Sequence, residues 1–497
     1  MKQLDLLSRL PSALEAALWD ANPWWRGERL FQLPPMRRWT FEPVLNNLTR
    51  GLTPATVLRG PRQVGKTVLM NQVITTLLDA GVHPRRILRI QFDFLPTFKR
   101  VEEPLLEIPR WFAQEVLGKT LNQAAIDGEQ AFLFLDEVQN LPDWSTQLKQ
   151  LVDINPVRAL VTGSSALRIE AGRDSLAGRI TTLEMGPLLL REIGILRGLG
   201  NPGAFFPPDG LAPLKEKAFW LELRAHGETC RAFRSMAFAA FSERGAYPVA
   251  QNHPDQPWEA VADLLVETVI RRALQHDLRL GPRGKKRDEH LLEEVFRLAC
   301  RYVGQAPSQA LYLDELKRSM DANIGWQRVL SYLKFLDGTL LIRLIEPMEL
   351  RLKPRRGAAK LCLCDHALRA AWLQEVVPLS PSGLEKQPHL AHLAGHIAES
   401  VVGYFLASLK NLDLAHLPER GVEREVDFVL TVGEQRIPLK VKYRRNIDFR
   451  DTLGLRTFIE KASNNAPFGV LVTLLDDPSI DDPRIVSLPL STLLLLR

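Results

Sequence analysis

Eight residues, Gly60-Pro61-Arg62-Gln63-Val64-Gly65-Lys66-Thr67, constrain this chain more than any other stretch. They fit G-x-x-x-x-G-K-[ST] at every fixed position. A β-branched run, Ala55–Arg59, ends directly before them, and a helical pattern begins at Lys66. The two glycines let the main chain turn tightly, so that its N–H groups point into one concavity. The following helix adds partial positive charge at its N-terminus, where a phosphate would sit. Lys66 supplies a point charge to the outer phosphates, the Thr67 hydroxyl suits Mg²⁺, and Val68 completes the cradle.

Such a loop needs a sheet to carry it. Short apolar runs at Ala55–Arg59, Arg86–Phe92, Ala131–Asp136, Ala159–Gly163 and Ile180–Glu184 alternate with helical stretches. That alternation predicts a parallel sheet covered on both faces. The third run ends in Asp136-Glu137. A carboxylate at the end of a buried strand beside a phosphate loop holds Mg²⁺ as a Walker B aspartate does, and its neighbour polarises the attacking water. The alternative is a solvated strand end. The fourth run ends in Thr162-Gly163-Ser164-Ser165, either a sensor of the terminal phosphate or an ordinary Ser/Gly turn. Arg179 precedes the fifth run and is either a transition-state arginine, acting in cis or across a subunit interface of an oligomer, or a surface residue. No N/T-K-x-D element for reading guanine is present, so ATP is the expected nucleotide.

The chain of 497 residues is long enough for about three domains. Hydrophobic residues make up 45% and charged residues 25%, which excludes long disorder. No window reaches the ~18 uncharged apolar residues of a membrane span, and the acid-containing N-terminus lacks a secretory h-region, so a cytoplasmic protein without membrane contact is expected. Four cysteines make no disulfide framework; Cys230, Cys300, Cys362 and Cys364 are read as reduced and mostly buried.

The fold class expected is α/β multidomain. An N-terminal arm (1–50) carries Asn22-Pro23-Trp24-Trp25, whose aromatics dock it onto the nucleotide domain (51–198). A helical lid or linker (199–288) follows. Helical patterns at His290–Tyr302, Leu313–Met320 and Ile324–Leu336, then strands at Leu340–Ile345 and Lys360–Leu363, give the order of a winged helix-turn-helix (289–384). The remainder (385–497) mixes a helix at Leu393–Leu409 with strands at Val426–Thr431, Arg436–Lys442 and Gly469–Thr473.

The net charge is +6 and the excess is clustered. Arg351–Lys360, in the proposed wing, holds five cations and no acid. Lys440, Lys442, Arg444, Arg445, Arg450 and Arg456 stand against Asp448 and Asp451, and Arg283–Arg287 forms a third patch. Basic runs are commonly solvated loops; placed in a wing, they point to DNA, with Trp326, Gln327 and Arg328 on the recognition helix.

Taken together, NPWW, GPRQVGKT, FLFLDEVQ, VTGSS and LAGR resemble prokaryotic AAA-type ATPases of the archaeal-ATPase and STAND neighbourhood, in the branch with a C-terminal domain of uncharacterised function. Gly245-Ala246-Tyr247-Pro248, Lys360-Leu361-Cys362-Leu363-Cys364-Asp365, Gly395-His396-Ile397-Ala398-Glu399 and Glu425-Val426-Asp427-Phe428 extend the resemblance over nearly the whole chain. It implies ATP and Mg²⁺ as cofactors and a C-terminal domain similar to PD-(D/E)XK nucleases, a restriction-endonuclease-like α/β fold. Glu399 and Asp427 match that pattern and Lys442 matches its lysine, but Lys440 stands where the pattern has Glu. A cation there repels Mg²⁺, so the site is expected to be degenerate and to serve binding. Three functions compete: an ATPase coupled to a DNA-associated C-terminal half, an ATP-gated nuclease, and a nucleotide-dependent scaffold that binds a protein partner through the winged helix or the C-terminal domain.

Overall fold

The computed structural model describes residues 10–30, 32–93, 101–163, 176–206, 210–275, 288–320, 324–349, 357–419, 424–476, 480 and 482–497. Ser164, Ser165, the patch 283–287 and most of the basic stretch 351–360 lie outside them. The chain divides into two compact units, Met1–Met185 and Gly186–Arg497.

The first unit is built on five strands: β1 (Ala55–Arg59), β2 (Ile87–Gln91), β3 (Phe132–Asp136), β4 (Arg158–Gly163) and β5 (Ile180–Glu184). Their order is β2-β3-β4-β1-β5, and every pairing is parallel. The central strands are buried on both faces, as a parallel sheet covered by helices requires. The order places β4 between the loop-bearing β1 and the carboxylate-bearing β3. This is the fold of a P-loop NTPase.

The arm closes the open edge of that sheet. Trp24 and Trp25 both donate their indole N–H to the carbonyl of Ile87 on edge strand β2, at 3.1 and 2.8 Å. The Asn22 carboxamide accepts from the Arg89 N–H at 2.6 Å and donates to its carbonyl at 2.9 Å. One side chain thus satisfies the edge as a neighbouring strand would. Further along, Gln72 on the helix Lys66–Asp79 holds the carbonyls of Pro34 and Met36, and buried Arg38 donates to the carbonyl of Val64 inside the phosphate loop. The arm therefore supports the loop from behind.

In the second unit, helices Glu289–Arg301, Gln309–Met320 and Trp326–Gly338 precede an antiparallel pair, β6 (Ile342–Ile345) and β7 (Lys360–Leu363). The last sheet has the order β12-β11-β10-β9-β8: β8 (Asp413–Leu417), β9 (Val426–Val432) and β10 (Gln435–Lys442) are antiparallel, while β11 (Gly469–Thr473) and β12 (Ile485–Pro489) run parallel to β10. Strand β12 and the buried turns after it occupy the apolar run Ile485–Leu496. Lid, helix-hairpin segment and mixed sheet, set apart in the sequence as separate regions, lie within one compact unit. Arg234 of the lid, for instance, pairs with Asp476 at 2.7 Å and also reaches Thr492.

Two of the motif stretches meet here. The Asp365 carboxylate caps the helix His366–Leu373 through Ala367 N–H at 3.0 Å and receives Ala246 N–H at 2.6 Å. Gly245 has φ +72°, and a Cβ there would lie 2.3 Å from Asp365. The GAYP and KLCLCD stretches are therefore two halves of one structural latch.

Candidate functional site

The phosphate loop leaves β1 at Gly60, where a Cβ would sit 2.1 Å from the carbonyl of Met185. Only glycine fits that approach. Gln63 and Gly65 take left-handed conformations, φ 61° and 97°, which turn the loop back into its helix. The Lys66 ammonium folds over the loop and donates to the carbonyls of Gly60 and Pro61 at 3.0 and 2.8 Å. Val64 is buried beneath the loop, Pro61 is buried and Arg62 partly so, while Gln63 and Val68 face solvent.

The end of β3 comes to the same place. The Thr67 hydroxyl donates to Asp136 Oδ2 at 2.9 Å. Thr162, at the end of the intervening β4 and fully buried, donates to Asp136 Oδ1 and accepts the Glu137 N–H at 3.2 Å. Thr162, one of the hydroxyls expected as a phosphate sensor, thus positions the Asp136 carboxylate and the main chain of Glu137. Glu137 itself has φ 53°, uncommon for a non-glycine residue, and receives a short hydrogen bond from Gln139. Burial, with Glu137 nearby, pushes the Asp136 carboxyl above its ordinary range, against the Thr162 and Thr67 hydroxyls and the Lys66 charge. Asp93, just past β2, is raised too: chiefly by burial, then by repulsion from Asp136 and Glu137, with Arg62 opposing. Sequence reasoning missed Asp93. Its position directly after a strand of the same sheet, as Asp136 and Glu137 stand at the end of theirs, was the available signal.

Arg179 does not join them. It precedes β5, and its carbonyl accepts the N–H of Ala55 at the start of β1. The loop lies at the far end of β1, about 17 Å away along five strand residues. Its guanidinium is held by Asp153 through Nε and Nη2. An in-cis catalytic role is therefore corrected: parallel strands put starts and ends on opposite edges of the sheet.

Around the C-terminal carboxylates, the helix Ala391–Ala407 crosses β7 and β9 closely. A Cβ on Gly403 would lie 2.3 Å from Cys362 Sγ and 2.8 Å from the Phe428 ring. That approach aims Glu399, one turn earlier, at Lys360, whose ammonium lies 3.0 Å from Glu399, 3.4 Å from Asp427 and 3.8 Å from Glu425. Lys440 lies 3.5 Å from Asp427 and 3.6 Å from Glu425, and Asp427 also accepts the Val441 N–H at 2.7 Å. Lys442 is instead 3.9 Å from Asp451, so only the first of the two strand lysines reaches ion-pair distance of Asp427. Lys360, counted in the sequence as a wing cation, is only 2% exposed in its side chain. Among the described residues no group of three or more His, Cys, Asp or Glu is placed to hold a metal ion.

The stretch 440–456 is likewise less free than its composition implied. Lys440 and Lys442 are paired as above, Arg444 with Asp451 at 2.5 Å, Arg445 with Glu385 and Arg456 with Asp482 at 3.5 Å. Arg328 is 3.2 Å from Asp288, and Trp326 packs on Tyr312. All four cysteines are unpaired: Cys300, Cys362 and Cys364 are buried and Cys230 is half-buried. No helix among the described residues is long and apolar enough to cross a membrane.

Residues 52–194 match a family described as an AAA domain. Residues 237–377 and 394–493 match two domains of unknown function, DUF8612 and DUF4143. An uncharacterised protein of Methanocaldococcus jannaschii is 31% identical over 136 residues, 27% of this chain and 26% of that one. An uncharacterised protein of Mycobacterium tuberculosis is 27% identical over 144 residues, 28% of this chain and 27% of that one. The chain spans about a quarter of the length of these curated relatives. A Walker-type ATPase of Pyrococcus abyssi is 16% identical at a TM-score of 0.40, over 69% of this chain and 99% of its own. The family match over residues 52–194, together with the loop, gives the chain an AAA-type domain with a P-loop.

Proposed function

We propose that the first unit binds and hydrolyses ATP with Mg²⁺, and that its nucleotide state is coupled to a DNA-associated C-terminal half. The observation that carries the first part is the Thr67–Asp136 hydrogen bond, 2.9 Å, which joins the loop to the strand-end carboxylate. Mg²⁺ characteristically takes one or two carboxylates and completes its shell with substrate phosphates and water. Thr67 and Asp136 would hold it, and the raised Asp136 carboxyl beside Glu137 and Asp93 is a setting that a cation relieves. When bound, the ion withdraws charge from the phosphate oxygens. The loop N–H groups and Lys66 hold the phosphates, and Glu137 orients the attacking water and receives its proton.

The DNA part rests on the order of three helices and a hairpin and on the basic stretch before β7. The pairing of Lys440, Lys442, Arg444, Arg445 and Arg456 with carboxylates takes phosphate contacts away from the other patch and favours a protein scaffold as the second reading.

ATP turnover at low salt, with and without duplex DNA and with Lys66→Ala as the blank, tests both parts. Turnover present in the wild type, absent in Lys66→Ala and raised by DNA is the expected result. Absence of turnover overturns the ATPase. Turnover indifferent to DNA removes the DNA half and leaves the scaffold.

A further inference from the structure

The resemblance to PD-(D/E)XK nucleases implies a divalent cation between Glu399 and Asp427. The residues present do not fit one. The space between the two carboxylates is taken by the ammonium of Lys360, 3.0 Å from one and 3.4 Å from the other, at the start of a strand outside the mixed sheet. The Phe428 ring, 5.2 Å away, lies against the same ammonium. Lys440 adds a second cation on Asp427.

Most of the negative charge is already met: Glu399, Glu425 and Asp427 face the two ammonium groups of Lys360 and Lys440. Burial, then the neighbouring Asp427, pushes the Glu399 carboxyl up to about 7 despite Lys360. Asp427 is held low: Lys360, Lys440 and the Val441 N–H outweigh its burial. Burial by itself would lower the ammonium of Lys360, and the three carboxylates hold it up. A divalent ion entering here would meet two fixed cations, with at most one carboxylate charge left to draw it in.

We propose that Lys360 is a tethered cation standing permanently where a metal would be, so that Lys360, Glu399 and Asp427 form an ionic joint fastening β7 and the helix Ala391–Ala407 to the mixed sheet. The C-terminal site then neither binds a divalent cation nor cuts nucleic acid. This goes beyond the degeneracy suggested by Lys440, because the occupant comes from the hairpin rather than from the nuclease-like pattern. It is independent of the ATPase reading.

The test is Mn²⁺ alone, titrated into nucleotide-free full-length protein and followed by electron paramagnetic resonance. Wild type and Asp427→Asn are compared, and any Mn²⁺ at the phosphate loop is common to both and cancels. Equal binding in the two proteins is the expected result. An ion bound by the wild type and lost in Asp427→Asn overturns the proposal, as does Mn²⁺-dependent DNA cleavage lost in the same variant. The joint itself is read from melting of Lys360→Met, which should unfold at a lower temperature than the wild type. An unchanged melting temperature overturns the joint, and if the variant cannot be made the Mn²⁺ comparison still decides the metal question.

Discussion

Lys66 and Lys360 are both buried lysines with carboxylates nearby, 5% and 2% exposed, yet they sit in opposite electrostatic settings. Lys66 donates to two neutral carbonyls of a left-handed loop, while Asp136 is pushed up by burial and by Glu137, and Asp93 nearby is raised as well. Lys360 sits directly on the carboxylates of its cluster, with Lys440 as a second cation on Asp427. In the first arrangement the lysine rests on neutral carbonyls and the strand-end carboxylate on hydroxyls, with main-chain donors turned inward, so it suits ligands from outside. The second is complete in itself. A lysine near paired acids is therefore not a site by composition; whether its ammonium rests on neutral carbonyls or directly on the carboxylates separates a binding site from an internal joint.

The largest effect that would sharpen this contrast is on turnover. Glu137→Gln keeps the shape of the strand end and removes the base, so ATP hydrolysis should fall by about two to four orders of magnitude with nucleotide binding and melting temperature retained. Loss of binding together with hydrolysis would mean that Glu137 shapes the loop instead. Next comes stability. Lys360→Met leaves Asp427 buried with one cation fewer, and should cost about 3 kcal/mol of unfolding free energy, measured by urea denaturation, while turnover of the folded fraction stays at the wild-type level. Were turnover to collapse with the fold intact, the two sites would not be the separate kinds described. A smaller change is expected at Asp93. If it supports the cation held by Thr67 and Asp136, Asp93→Asn should weaken the Mg²⁺ requirement curve by about tenfold; an unshifted curve would make Asp93 a bystander.

What the sequence disclosed followed the range of the interactions involved. The phosphate loop was legible because its requirement is local: two glycines, a lysine and a hydroxyl at fixed spacing after a strand. The sheet was legible because its strands read as short, mostly apolar or β-branched runs, of which the fully buried β3 (Phe132–Asp136) is the clearest. β12 was hidden because Ile485–Leu496 reads as one apolar run, although Pro489, followed by Ser491 and Thr492, marks where the strand gives way to a helical turn. Lys360 was misread for a different reason. Its partners Glu399 and Asp427 lie 39 and 67 residues downstream, so the run Arg351–Lys360 looks the same whether its last cation is solvated or buried. The one clue was that Lys360 opens the apolar strand Leu361–Leu363, where a charge must find partners or stay out.

Arg179 teaches the reverse, because the information was there. Gly60 follows its strand and Arg179 precedes its own, and in a parallel sheet those positions face opposite edges. With its guanidinium committed to Asp153 and its carbonyl to the start of β1, Arg179 fixes the entry of β5 rather than the chemistry at its exit. Arg179→Ala should therefore leave ATP turnover at the wild-type level. Measuring it across a wide range of protein concentration also tests donation between subunits: an arginine supplied in trans would make turnover rise with concentration in the wild type and fall by about a thousandfold or more in the variant. Flat, equal profiles are the expected outcome, since serving a neighbour would require Arg179 to give up both of its hydrogen bonds to Asp153.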